Sequence, residues 1–174
     1  IALFSRILMS TFYAFVDQWQ LILILVALLS IIVSAFFALQ QYKIKRFLTY
    51  SSVTHIGYMI LGLSTGTIQG VQSLLFYFIV YLITTITIWS ILLIVNNKIK
   101  YITEFANFFK NNYLLGISLT IIMFSMAGIP PLAGFIAKFY TFFVCIENDV
   151  LLPAIFAIVI SVITAFYYIR FIKI

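Results

Sequence analysis

From Leu114 to Ile146 the chain runs through 33 residues (positions 114 through 146) in which Lys138 is the only ionisable side chain apart from tyrosine and Cys145. A helical bilayer crossing takes about 20 apolar residues. At ~1.5 Å per residue, 33 make a rod of ~50 Å, too long for one simple crossing. The same run holds "FSMAGIPPLAGFIAKFY", with Pro130 and Pro131 adjacent. Proline lacks a backbone N–H and cannot continue a helix undisturbed. The expectation is therefore a membrane helix broken at the prolines, with the carbonyls of Met126 and Ala127 deprived of their helical donors. Gly128 and Gly134 supply the backbone freedom for an irregular turn. Non-helical backbone at membrane depth survives only within protein or beside water, and broken helices of this kind are common at transporter ion sites.

The remaining sequence fits the same solvent. Further apolar runs cover Gln20 to Leu39, Phe47 to Leu63, Val71 to Val95 and Val150 to Ile172, with a partial one from Ile1 to about Phe12. Of the 174 residues 65% are hydrophobic and 8% charged, and the mean hydropathy is +1.22. This balance excludes a soluble domain. The runs are continuous rather than alternating, which argues against a β-barrel. The fold class expected is all-α: one polytopic transmembrane helix bundle over residues 1–174, with about five full spans, one partial N-terminal span and a Pro-broken helix at 114–146. The single cysteine, Cys145, excludes an internal disulfide framework. No nearby Cys or carboxylate joins the sole histidine, so no metal site is expected.

Charge placement gives an orientation. The loops and chain end on one side hold Lys43, Lys45, Arg46, Lys98, Lys100, Lys110, Arg170 and Lys173, with Glu104 as their only acid. The opposite loops hold Asp17, Glu147 and Asp149 and no base. The positive-inside rule puts the basic side in the cytoplasm or matrix. These bases are scattered at helix ends and form no solvated patch, so nucleic-acid binding is not expected. Between Asn96 and Asn112, residues Ile99, Ile102, Phe105, Phe108 and Phe109 recur at helical spacing and suggest a surface amphipathic helix.

Three constellations could carry chemistry. Lys138 lies eight residues before Ile146, ~12 Å inside the boundary by helical rise, where a lysine costs ~2.5–3.5 kcal/mol. Burial disfavours the charged form of an amine, so this lysine is a candidate proton carrier; the plainer alternative is a structural lysine paired with an acid from elsewhere. Gly134, Lys138, Thr141 and Cys145 share one helical face. The second constellation is Ser51, Thr54, His55 and Tyr58, at i, i+3, i+4 and i+7. His55 suits a proton relay by its ordinary titration range, although a lone histidine is more often a hydrogen-bonded core residue. The third is the stripe Tyr77, Tyr81, Thr84 and Thr85, whose hydroxyls either bond between helices or line a water path.

The stretches "KIKRFLTYSSVTHIGYMILGLSTGTIQGVQSLLFY", "FSMAGIPPLAGFIAKFYTFF" and "SVITAFYYIRFIKI" resemble, in that order, the antiporter-like membrane subunits of respiratory complex I. The lysine in "GIPPLAGFIAKFY" matches the NADH dehydrogenase subunit 2 (bacterial subunit N) branch, because the subunit 4 relatives usually carry an acid there. The resemblance implies that Lys138 is the terminal proton-channel residue on a broken helix and that His55 is the family's histidine after "YSS". It implies a role in a proton-pumping NADH:ubiquinone oxidoreductase of the mitochondrial inner membrane, with basic loops in the matrix. NADH, FMN, iron–sulfur clusters and ubiquinone would be bound by other subunits and no cofactor by this chain. The match corresponds to the C-terminal half of such a subunit, from its eighth to its thirteenth helix. The expected partners are the other complex I membrane subunits, the lipid bilayer and a separate chain carrying the N-terminal half. The competing readings are a subunit of a stand-alone cation/proton antiporter and a structural scaffold without a proton path.

Overall fold

A computed structural model describes residues 1–95, 101–104 and 112–173. The described residues are helical throughout, apart from turns and one isolated bridge between Lys43 and Tyr101. The helices are α1 (Ala2–Ser10), α2 (Val16–Leu39), α3 (Ile44–Leu63), α4 (Ile68–Val95), α5 (Tyr113–Ala127), α6 (Ala133–Glu147) and α7 (Leu151–Lys173), with a 3-10 turn at Tyr13–Phe15 before α2. Most of the amphipathic segment expected between 96 and 112 lies outside the described residues.

Among the described residues, three stretches are long and apolar enough to cross a membrane unaided: Tyr13–Leu39, Ile68–Ile94 and Leu151–Lys173. The other two expected crossings are built differently. The run at 114–146 is interrupted as anticipated, giving α5 and α6 of 15 residues each. At ~1.5 Å per residue each is ~22 Å long, shorter than the ~30 Å hydrocarbon core, so their junction belongs at membrane depth. The remaining crossing, α3, spans 20 residues but carries Lys45, Arg46, Ser51, Ser52, Thr54 and His55.

That polarity explains the position of α3. It packs against α2, α4, α6 and α7, and 12 of its 20 residues are buried, among them Ser51, Thr54 and His55. In lipid a polar helix must be covered by protein, and the apolar helices do this. They in turn expose Leu21, Ile22, Leu29, Ile83, Ile86, Leu93, Val162 and Phe166 outward, the surface a bilayer requires. Small residues permit the close crossings. A Cβ at Gly57 would stand 2.5 Å from Ser30 Oγ and 2.6 Å from Ile31 Cγ1 on α2.

The bundle has distinguishable ends. The C-terminal ends of α2 and α7 meet where the Arg170 guanidinium donates to the Leu39 carbonyl at 3.0 Å. The start of α3, with Lys43, Lys45 and Arg46, follows Leu39 by a few residues, so these bases and Arg170 lie at one end. The α3–α4 turn, at Gly66, lies against Val16 and Trp19 at the start of α2, beside Asp17. The apolar core forms two clusters. One is centred on Ala27, Ile31, Tyr58, Leu61, Ala137 and Ala157; the other, toward the basic end, on Phe47, Ile88, Met123, Tyr168 and Phe171.

Candidate functional site at the helix break

The stop in α5 is a glycine-terminated C-cap. Gly128 has φ 84 and ψ 42, in the left-handed region. The Ile129 amide donates to the Phe124 carbonyl at 3.2 Å and the Gly128 amide to the Ser125 carbonyl at 3.0 Å. This pair of bonds is a Schellman motif. The sequence assigned the break to Pro130 and Pro131; in the structure the helix has already ended at Ala127, and the prolines occupy the link to α6. Their missing amides still matter, because nothing in that link returns a donor to the last two carbonyls of α5.

Lys138 takes that place. Its Nζ donates to the Met126 carbonyl at 3.0 Å and to the Ala127 carbonyl at 3.0 Å, the two acceptors that the proline argument singles out. The side chain is 4% exposed. Its Nζ also lies 5.5 Å from the centroid of the Tyr58 ring, within cation–π range. Among the described residues no carboxylate joins these partners. A cation at a helix C-terminus gains roughly 0.3–2 kcal/mol from the aligned peptide dipoles, and hydrogen bonds to a charged group are worth about 1.5–3 kcal/mol each. Both scale with the charge on the amine, so the grip on Lys138 depends on its protonation.

Gly134 fixes the geometry from the other side. Its amide donates to Ser125 Oγ at 3.2 Å. A Cβ at Gly134 would fall 1.8 Å from the Ser125 carbonyl oxygen, so only glycine lets the start of α6 cross the last turn of α5. One turn further on, Lys138 points back to the carbonyls that this crossing leaves beside it. Thr141 and Cys145 continue the buried face. Thr141 Oγ1 donates to the Ala137 carbonyl, and the Cys145 thiol approaches the Leu61 carbonyl at 3.6 Å. Both serve packing of α6 on α3.

The α3 constellation faces the same interior. His55 is 4% exposed. Its Nδ1 pairs with the Tyr77 hydroxyl at 2.8 Å and its Nε2 with the Tyr168 hydroxyl at 2.9 Å. A neutral imidazole has one donor and one acceptor nitrogen, so the Tyr77–His55–Tyr168 chain has a direction that reverses when the ring changes tautomer. The Tyr81 ring lies 5.1 Å from the imidazole, centroid to centroid. Thr54 Oγ1 bonds Ser34 Oγ on α2 at 2.7 Å. Ser51 bonds the Leu48 carbonyl, and Thr84 the Tyr81 carbonyl, each within its own helix. A cavity of about 10 Å³ lies between α3, α4 and the ends of α5 and α6 that meet at the break. Its walls include His55, Tyr81, Thr84, Ser125, Met126 and Gly134, and its size suits about one water molecule.

Of the residues singled out from sequence, Lys138, Gly128, Pro130, Pro131 and Gly134 form the break. Tyr58 and His55 face it from α3, and Tyr81 and Thr84 line the cavity between. Ser51, Thr54 and Thr141 are buried but engaged in local or interhelical bonds. Sequence reasoning missed Ser34 and Tyr168. A signal for Tyr168 was present: Thr164, Tyr167, Tyr168 and Phe171 recur at helical spacing on α7 and all are buried.

Gly128 tests the geometry. A Cβ there would stand 3.0 Å from Lys138 Cδ and 3.3 Å from Nζ, and a left-handed backbone costs a non-glycine residue ~1–2 kcal/mol. Gly128→Ala is expected to destabilise the assembled complex by about that energy, read as a lower thermal midpoint, and to displace the amine from the Met126 and Ala127 carbonyls. A variant with wild-type stability and an unmoved amine in its structure would show that the glycine is not needed.

Comparison with known proteins agrees with this architecture. Residues 1–164 match the family model described as NADH:quinone oxidoreductase/Mrp antiporter, TM. NADH-ubiquinone oxidoreductase chain 2 of Marchantia polymorpha is 44% identical over 176 residues, covering 100% of this chain and 36% of the relative. NADH-quinone oxidoreductase subunit N of Rhodospirillum rubrum is 38% identical, covering 99% of this chain and 36% of the relative. The chain thus spans just over a third of the length of these relatives. A solved structure of respiratory complex I from Thermus thermophilus with bound aureothin contains a chain that superposes with a TM-score of 0.76 at 32% identity, covering 87% of this chain and 35% of that one. The Mrp complex of a Dietzia species gives a TM-score of 0.80 at 17% identity, covering 96% and 32%, which is a likeness of fold alone. With that family model covering nearly all of its length, the chain belongs to the NADH:quinone oxidoreductase/Mrp antiporter transmembrane family.

Proposed function

We propose that the chain forms part of a subunit of a proton-pumping NADH:ubiquinone oxidoreductase, of the subunit 2 or subunit N type, and contributes part of its proton path. The observation that carries this reading is the Lys138 amine, buried and held by two carbonyls at a helix break. A protonated amine is retained by those carbonyls and by the dipole of α5. A neutral amine loses most of that attraction and is free to turn toward the cavity beside His55. The Tyr77–His55–Tyr168 chain can accept or deliver a proton by a change of tautomer. His55 and Lys138 face the same interior, with the Tyr81 ring against the imidazole and the Tyr58 ring against the amine. Together they are the proposed relay, with Tyr58, Tyr81 and Thr84 as its polar surroundings.

In this reading NADH oxidation, electron transfer through FMN and iron–sulfur clusters, and ubiquinone reduction occur on other subunits, and this chain lends no redox group. Its partners are the other complex I membrane subunits and a separate chain bearing the N-terminal half. The setting is the mitochondrial inner membrane, a reading supported by the likeness to NADH-ubiquinone oxidoreductase chain 2 of Marchantia polymorpha. The fold shared with the Mrp complex keeps a stand-alone cation/proton antiporter as the second reading. The composition of the purified complex separates the two: flavin and iron–sulfur subunits accompany the chain in the first and not in the second, and the same preparation shows whether the N-terminal half is a separate polypeptide.

Lys138→Met tests the relay. Protons translocated per electron should fall, with electron transfer in uncoupled membranes affected less. Equal pumping rate and stoichiometry in variant and wild type would remove Lys138 from the path. The orientation has its own check. A Lys43→Cys variant should react with a membrane-impermeant maleimide from the matrix side only, and labelling from the opposite side would reverse the assignment.

A further inference from the structure

At the basic end of the bundle, away from the helix break, a cleft of about 350 Å³ opens between α2, α3 and α7. Leu39, Phe47 and Phe171 give it apolar walls, Tyr42 and Tyr167 line it, and Arg170 stands among them. The 101–103 segment forms one rim. That segment is tied to the α2–α3 connection by the Lys43–Tyr101 bridge and by the Ile102 amide donating to the Tyr42 carbonyl at 3.0 Å. The volume falls at the lower end of the range for ligand-binding clefts.

Charge narrows the choice of occupant. Arg170 is exposed. Its described partners are the Leu39 carbonyl, at 3.0 Å, and the face of the Tyr42 ring, at 5.8 Å. A guanidinium has five N–H donors, so most remain available. Lys43, Lys45, Arg46 and Lys173 are exposed at the same end, with Glu104 as the nearby acid, its carboxylate accepting from the Tyr101 amide. An apolar cleft between helices, open at the depth where the helices end and rimmed by a cation, is complementary to a molecule with an anionic head and a hydrocarbon tail. Basic pockets between spanning helices on the matrix or cytoplasmic side take anionic lipid headgroups.

We propose that this cleft binds an anionic phospholipid, with the phosphate at Arg170 and the start of one acyl chain between Leu39, Phe47 and Phe171. Such a lipid would fasten the C-terminal ends of α2 and α7 to the start of α3. The site is independent of the proton relay, so Lys138→Met leaves lipid binding unchanged whatever it does to pumping.

The test uses the whole purified complex in nanodiscs of phosphatidylcholine containing a trace of diazirine-bearing phosphatidylglycerol, with crosslinks mapped to residues 38–47 and 167–171. Crosslinking there should exceed that of a diazirine phosphatidylcholine. Loss of one cation near the membrane surface weakens attraction about fivefold, so Arg170→Ala should lower the crosslink yield by about that factor, and Arg170→Lys should keep most of it. Leu39→Trp, which fills the cleft and removes no charge, should also lower the yield; it carries the test should Arg170→Ala fail to assemble. Yields equal to wild type in both Arg170→Ala and Leu39→Trp, or equal crosslinking by the two lipids, would overturn the proposal. Full displacement of the lipid by millimolar glycerol phosphate would also overturn it, because the site would then be one for a free phosphate ester.

Discussion

Two carbonyl oxygens and one amine organise this protein. A helix that ends inside a bilayer leaves its last carbonyls without donors, and no water stands ready to supply them. An amine placed at the same depth needs acceptors for its own N–H groups. Each defect is costly alone. In this fold they meet: the stop at Gly128 frees the Met126 and Ala127 carbonyls, and Lys138 reaches back from the next helix to both. The rest of the arrangement follows from keeping them together. Gly134 brings α6 across the end of α5, the α3 face supplies the Tyr58 ring, and the apolar helices exclude lipid.

In the proposed relay, this meeting is also what lets the site respond to a proton. A lysine paired with a carboxylate would be neutralised by a permanent counter-charge and held in one state. Here the partners of the amine are neutral carbonyls and an aromatic face. Among the described residues the cation is held by dipoles and that face. His55 is treated in parallel. Two tyrosine hydroxyls satisfy it, and no carboxylate joins them among the described residues. Both titratable groups are buried and hydrogen-bonded, no carboxylate joins either among the described residues, and a small cavity opens beside His55.

Much of the fold was legible because the bilayer reduces the choices to few. Apolar runs of spanning length become helices, and α2, α4 and α7 lie within a few residues of where the hydropathy put them. The break near Pro130 and Pro131 was visible as well, down to the two carbonyls it would release. What the sequence could not convey is which donor comes to them, since that depends on the turn from Gly128 to Ala133 and the approach of Gly134 to Ser125. The histidine's partners were half visible. Tyr77 stood on a polar stripe that periodicity exposes, whereas Tyr168 sits 113 positions away on a helix whose apolar character masked its tyrosine face. The low apolarity of α3 was the clearest hint of its central place, because a polar helix in lipid has to be enclosed.

The central claim is that the Lys138 amine changes its protonation state while the enzyme turns over. Isotope-edited infrared difference spectroscopy reads this directly. Spectra of the complex with and without NADH-driven turnover, prepared with ordinary and ¹⁵N-labelled lysine, isolate ammonium deformation bands, and subtraction of the Lys138→Met complex assigns the one from this residue. The account predicts an isotope-sensitive ammonium band that rises or falls with turnover in the wild-type complex and is missing from the variant. A wild-type complex that pumps protons with no turnover-dependent band lost in the variant would contradict it.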